Sequence, residues 1–372
     1  MQIKNYDKFL LTIIYSLGIS FALISFIWNI NILIKTNVIL SLLSLYFLGN
    51  NSKKHFVLYI YMFLLIILFI FFSYFVGRLN WRLFAPLHFI VYSYGFSMIL
   101  IKKKVYAWGG YIVFYLLALY FLILMFLGVS GDLALKWSSS NGISTVMLIS
   151  CISLYIILRF EEKELDLIPA FITLIISIWG IGRGGIISSL ILFLGLLFLK
   201  YNTKKKYIFL IVISLFAIST LIFFNSDFFL DYALNNSFFS NAMIRFIERS
   251  GEFNESSARS TMWENYFHNL DFSRLIFGVN VETDPWEEGL MNEFNYHNSF
   301  INLHLQTGII GIITILLIYL SLTDLFKKDK LLFLLLFVLV FRSFTDTIIF
   351  FGRYDFIIFY FIFLQLRKYK IY

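Results

Sequence analysis

His297, followed by Asn298, Ser299 and Phe300, closes a polar stretch from about Asn225, the only long interruption in an otherwise apolar chain. A neutral imidazole can take the proton of an attacking hydroxyl. Asn298 is a good helix N-cap, so the sequence predicts a helix whose first N–H groups share the space of the imidazole and favour an anion there. Alone, a histidine so placed is more often a capping or interface residue than a base. His304 follows two turns later on the same face, and either supports His297 or hydrogen-bonds within a helix bundle.

Three other groups have the residue types for chemistry. Arg183, between Gly182 and the pair Gly184 and Gly185, interrupts two short apolar runs. An arginine at such a depth is costly unless it meets water or an anion, and the glycines would let the backbone approach a ligand. The competing account is an interfacial arginine snorkelling to lipid phosphate. Arg259 with Trp263 one turn on is a weaker pattern, because a surface-helix arginine is usually solvated and Trp263 fits a membrane-interface anchor better than a sugar platform. Arg342 and Asp346 stand i,i+4 in an apolar run with Arg353 just beyond, a spacing that favours a structural salt bridge. The acidic patch Glu282, Asp284, Glu287 and Glu288 lacks the EF-hand spacing and reads as a solvated loop, so no metal ligands are expected.

The elements that must position these groups are membrane helices. Of 372 residues, 60% are hydrophobic and only 14% charged, with a mean hydropathy of +0.83; a soluble fold could not cover itself with so little polar surface. Apolar runs of about 17–22 residues suit a hydrocarbon core of about 30 Å. About twelve spans are expected, near 9–28, 37–49, 56–77, 83–101, 105–127, 143–160, 167–181, 185–199, 207–224, 298–322, 331–349 and 354–366. The expected class is therefore an all-α polytopic integral membrane protein, one membrane domain over 1–372 with one large outer loop at 225–297. Helices are expected because each satisfies its own backbone in lipid, and the alternation of a barrel is missing. The first span has no small-residue cleavage site and is expected to be retained. Cys151, the single cysteine, falls within a span and excludes an intramolecular disulfide.

With both termini cytoplasmic, 19 of the 30 basic residues fall on inner segments, 10 on outer ones and Arg342 within a span, which the positive-inside rule favours. The net charge of +8 is then an orientation signal, not a nucleic-acid footprint. Eight of the ten outer basic residues are arginine, against two of nineteen inside. Forked guanidiniums suit a phosphorylated outer ligand, although topology with codon bias would give the same asymmetry. The outer loop holds twelve acids against four arginines and should not lie on anionic lipid. Within it, 258–270 reads as an amphipathic helix with Met262, Tyr266 and Leu270 on one side, started by Ser256 or Ser257.

Taken together, Arg183-Gly184-Gly185 opening a span, Arg259 with Trp263, Gly278 with Asn280, and His297-Asn298-Ser299-Phe300 leading into Leu303 and Thr307-Gly308-Ile309-Ile310-Gly311 resemble the O-antigen polymerase and O-antigen ligase superfamily over about 170–320. The resemblance implies a GT-C-like, metal-independent glycosyltransferase without cofactor at the periplasmic face of the bacterial inner membrane. It implies undecaprenyl-diphosphate-linked glycans as substrates, with Arg183 and Arg259 on the diphosphate and His297 assisting the acceptor hydroxyl. Trp263, Asn298 and Arg353 are the accompanying candidates for substrate binding. Membrane lipids and a chain-length regulator complete the expected partners, with no nucleic acid. Gly182 stands where the family usually has serine.

The modest length favours a polymerase, which passes the growing glycan to a lipid-linked repeat unit, over a ligase, which passes it to lipid A–core. A lipid-linked oligosaccharide flippase or transporter is the alternative from another class; Arg342 and Asp346 would suit it, but the large outer loop would not. A metal-using transferase would want an acidic pair in the first outer loop, and residues 29–36 contain none.

Overall fold

The computed structural model describes residues 2–48, 67, 87–135, 141–180, 182–201, 263–264, 266–279, 297–350 and 352–368. Among them the regular structure is helical throughout, as the apolar runs require. The expected spans at 56–77 and 207–224, Arg259, Asn280 and most of the outer loop lie outside the described residues.

In chain order the helices are α1 (Gln2–Trp28), α2 (Asn31–Leu48), α3 (Leu87–Ile101), α4 (Ala107–Phe126), α5 (Gly131–Ala134), α6 (Asn141–Phe160), α7 (Ile168–Trp179), α8 (Arg183–Lys200), α9 (Phe272–Phe277), α10 (Ser299–Thr307), α11 (Ile309–Lys328), α12 (Lys330–Thr345) and α13 (Asp355–Lys368). Helices α1, α4, α6, α8 and α11 are long and apolar enough to cross a membrane, and α2, α3, α7 and α13 contain shorter apolar segments. The chain divides into two compact units, residues 1–113 with 259–372, and residues 114–258.

In the first unit α2 and α13 both pack on α3, and α1 on α2. Its aromatic core joins Tyr15, Phe96 and Phe356, with ring centroids 6.1–6.3 Å apart and edge-to-face, a geometry worth about 0.5–1.5 kcal/mol per pair beyond area burial. Gly18 makes this possible, because an added Cβ would stand 2.1 Å from Phe96 Cζ. Asn37 is wholly buried, and its side-chain N–H bond to the Gly18 carbonyl at 3.0 Å offsets part of the cost of carrying an amide inside.

Two expected spans are built differently. The run 298–322 is not one helix: it breaks at Gly308, where φ is +53°, into α10 and α11. The cause is tertiary. The chain after α9 passes so close that a Cβ on Gly308 would lie 2.0 Å from the Ile276 carbonyl oxygen, and hydropathy alone has no sign of it. Gly308→Ala combines backbone strain with a backbone clash, each worth about 1–3 kcal/mol. It is therefore expected to lower the thermal midpoint in detergent and the yield of folded protein; an unchanged midpoint would show that the break tolerates a side chain.

The run 331–349 likewise stops early. Helix α12 ends at Thr345, and Asp346 is extended, with φ −163° and ψ 166°. Arg342 is helical, whereas Asp346 belongs to the following loop. That loop ends at Asp355, whose carboxylate accepts the Phe350 N–H at 2.7 Å and the Gly352 N–H at 2.9 Å, which stops the chain and starts α13.

In the second unit α6 is buried from Gly142 to Leu158, with α7 and α8 packed on it. Tyr155 in its core donates to the Asp166 carbonyl at 2.6 Å and accepts the Ala170 N–H at 3.3 Å, fixing the start of α7. Gly182 and Gly185, on either side of Arg183, serve this packing: a Cβ on Gly185 would stand 1.8 Å from Ser144 Oγ, and one on Gly182 2.4 Å from Asn141 Oδ1. Across the break, Ser177 and Ser189 share a buried hydroxyl–hydroxyl bond of 2.8 Å. Cys151 is buried in α6.

Candidate active site

Helix α10 begins where the polar loop re-enters the apolar part of the chain. His297 is held at φ +48°, a conformation that a non-glycine residue keeps only when its surroundings impose it. Asn298 is the N-cap; its Oδ1 accepts the N–H groups of Phe300 at 2.9 Å and Ile301 at 3.2 Å. Two of the N–H groups expected to face an anion are therefore taken by the cap itself.

The surroundings come from α12. A turn at Asp329, whose carboxylate caps α12 through the Leu332 N–H at 3.1 Å, sends the chain back along α11. The residues after α12 then reach the start of α10. Ser299 Oγ donates to the Asp346 carbonyl at 2.9 Å and accepts the Ile348 N–H at 2.9 Å. Asn302 donates to Thr347 Oγ1 at 2.9 Å. Phe300 packs against Phe344, with centroids 4.6 Å apart and the ring planes tilted by 43°.

These bonds place the Asp346 carboxylate beside His297, with Oδ1 3.8 Å from Nδ1. This is the separation of an ion pair, longer than a hydrogen bond. Asp346 Oδ2 accepts from Arg342 Nη2 at 2.9 Å, and Arg342 Nη1 donates to Thr345 Oγ1 at 3.1 Å. The exposures set their roles: the Arg342 side chain is 1% exposed, Asp346 19% and His297 34%. An entirely buried guanidinium orders a partly covered carboxylate, which faces a half-open imidazole.

Burial works against the Asp346 charge, but the His297 imidazole, the Arg342 guanidinium and the Thr347 N–H together outweigh it and hold the carboxyl below its ordinary range, at about 2. Because the folded value is depressed, the carboxylate stabilises this loop above the ordinary carboxylate range and loses that contribution only as pH falls toward the depressed value. It is ionised whenever His297 works near neutrality.

Arg342 with Asp346 is thus a salt bridge, as the i,i+4 spacing indicates, and also the wall of the His297 site. Sequence reasoning missed the second role, because a self-neutralising pair gives no hint of a third partner 49 residues away. The signal that could have found it is an acid just past the end of an apolar run, where solvent and the outer loop meet. Asp346→Asn keeps the shape and an acceptor for Arg342 but removes the charge. Removing a partner that orients a functional histidine costs about 10–100-fold, expected here in kcat with KM little changed; equal turnover for the variant and the parent would show that Asp346 acts on structure alone.

Trp263 is partly buried and packs, with Leu270, on a cluster of Tyr266, Val279, Ile301 and Leu305, so the indole faces protein on at least one side. Arg353 lies in the loop before α13 with its guanidinium 5.6 Å from the Phe26 ring centroid, and the neighbouring Gly352 carbonyl accepts from Tyr92 at 3.1 Å. Arg183, in the second unit, is the first residue of α8 and exposed. Arg259 lies outside the described residues. Among those described, no group of three or more His, Cys, Asp or Glu residues is arranged to hold a metal ion.

The motifs around these residues match a known family model: residues 168–316 fit Wzy_C, described as O-antigen ligase. The chain carries an O-antigen ligase domain. The match takes in α7, the Arg183 break, α8, residues 263–279, His297 and α10, and ends inside α11, short of Arg342, Asp346 and Arg353. No curated protein and no solved structure matches the chain. The matched domain and the apolar helices together point to a membrane enzyme of the O-antigen ligase and polymerase type.

Proposed function

We propose that this enzyme is a polysaccharide polymerase, which passes a growing glycan from undecaprenyl diphosphate to the non-reducing end of a lipid-linked repeat unit at the periplasmic face of the inner membrane. The observation that carries the reading is His297, inside the matched O-antigen ligase domain, held in a constrained backbone conformation beside an ionised, arginine-ordered Asp346. In the proposed step the imidazole nitrogen remote from Asp346 takes the proton of the acceptor hydroxyl. That oxygen bonds to the anomeric carbon as the bond from this carbon to the diphosphate breaks, and undecaprenyl diphosphate leaves with the electron pair. Asp346 opposes the positive charge that appears on the ring. Arg183 and Arg259 take the diphosphate, whose developing charge forked guanidiniums can stabilise in place of a metal ion.

The twelve-span GT-C layout, with both termini cytoplasmic and 225–297 outside, belongs to the same proposal; the sorting of lysine and arginine along the chain supports it. A ligase reading is favoured by the description of the matched family, and uses the same donor with lipid A–core as acceptor.

Purified protein incubated with its lipid-linked repeat unit and a chelator should release undecaprenyl diphosphate and build a ladder of lengthening glycans. No ladder with repeat unit alone, but transfer when lipid A–core is added, would make it a ligase. In a deletion strain, single repeat units on lipid A–core mark a lost polymerase, and long glycans stranded on the carrier mark a lost ligase.

A further inference from the structure

Helix α10 has only nine residues, yet both of its ends are fastened. Its start is joined to the 346–348 loop through Ser299 and Asn302. Its end is joined to residues 266–279, and there His304 is the central bond. His304 is 4% exposed, and its Nε2 lies 3.0 Å from the Leu275 carbonyl oxygen. A carbonyl only accepts, so Nε2 bears the proton and Nδ1 is the acceptor. Nδ1 in turn bonds the Tyr266 hydroxyl, which therefore donates. Burial pushes the Tyr266 phenol above its ordinary value, so that donor keeps its proton. One imidazole thus holds two points of the outer segment, nine residues apart in sequence.

The backbones interlock beside it. The Val279 N–H donates to the Leu305 carbonyl at 2.9 Å, and Gly278, at φ +78°, lies so near that a Cβ would stand 2.3 Å from the same oxygen. Trp263 and Leu270 cover the apolar cluster in between. A loop that only covered a site would need none of this; hydrogen bonds at both nitrogens of a buried histidine fix position at some cost in freedom.

We propose that His304 is a positioning residue, which locks residues 263–279 to α10 so that the substrate contacts they carry keep a fixed register with His297. This rests on the proposed function for its substrate, the lipid-linked glycan. It predicts a division of labour along one short helix: the His297 end governs the chemical step, and the His304 end governs how tightly the lipid-linked substrate is held.

Two variants separate this from simple folding. Tyr266→Phe removes one hydroxyl and keeps the ring; His304→Gln keeps an amide donor for Leu275 and loses the imidazole. In both, hydrogen exchange at the Val279 amide should speed up, and the KM for undecaprenyl-diphosphate-linked repeat unit should rise about tenfold with kcat within about threefold, the pattern of lost uniform binding. His297→Ala should do the reverse, lowering kcat without altering exchange at Val279. Unchanged exchange in both variants would overturn the fastening, and a fall in kcat at constant KM would overturn the positioning role. If the parent protein makes no product from this repeat unit, the proposed function fails, while the exchange measurement still decides whether His304 fastens the segment.

Discussion

His297→Ala is expected to abolish long-chain glycan while leaving the protein in the membrane, because the substitution removes the proton acceptor and little of the fold. General-base help of this kind is worth about 10²–10⁴ in rate, enough to stop a ladder after its first steps. The side chain is one-third exposed, and the N-cap, the Ser299 bridge and the Phe300 packing all belong to its neighbours, so α10 should survive. Quantitative release of undecaprenyl diphosphate by the purified variant is the measurement, with the in-cell ladder as a second readout. Transport predicts otherwise: a flippase would leave polymer length unchanged in His297→Ala, and a normal ladder would remove the enzyme assignment from this site.

Arg183→Ala should lose activity about as heavily and for a different reason. Removing one group that stabilises developing charge costs about 10²–10³ in rate. The position of Arg183 argues that helix stability is not its purpose. It is the first residue of α8, and a cation at the positive end of a helix dipole is disfavoured by about 0.3–1 kcal/mol; a diphosphate there would meet both charges favourably. Arg183→Ala is therefore expected to remove the ladder while the protein remains in the membrane. Arg259→Ala should remove the ladder likewise, and Arg259→Lys should restore little, because an ammonium cannot reproduce the two-pronged contact. Normal ladders in all three alanine variants would mean that the diphosphate is bound elsewhere.

Much of the architecture was legible in the amino-acid sequence, because lipid imposes a simple grammar. Runs such as 105–127, 143–160 and 185–199 contain almost nothing charged, and the structure builds a helix in each of them. Asn298 as a cap followed from residue type alone. The places where the expectation failed share one cause. The break at Gly308 and the early end of α12 at Thr345 are decided by other segments that come close, Ile276 in one case and the start of α10 in the other. Gly182 and Gly185 depend on a neighbour in the same way, because α6 fills the space their Cβ atoms would need.

For the site the division is similar. Residue type, hydropathy and position along the chain were enough to single out His297 and Arg183 and to indicate a membrane protein; the expectation of an enzyme whose arginines bind phosphate came from the family resemblance. That His297 faces Asp346 across 49 residues, that a buried Arg342 orders this carboxylate, and that His304 bonds both Leu275 and Tyr266 are features of the tertiary structure. Pair energies depend on distance and dielectric, and both are created only when the turn at Asp329 folds α12 back and brings the two ends of the hairpin together.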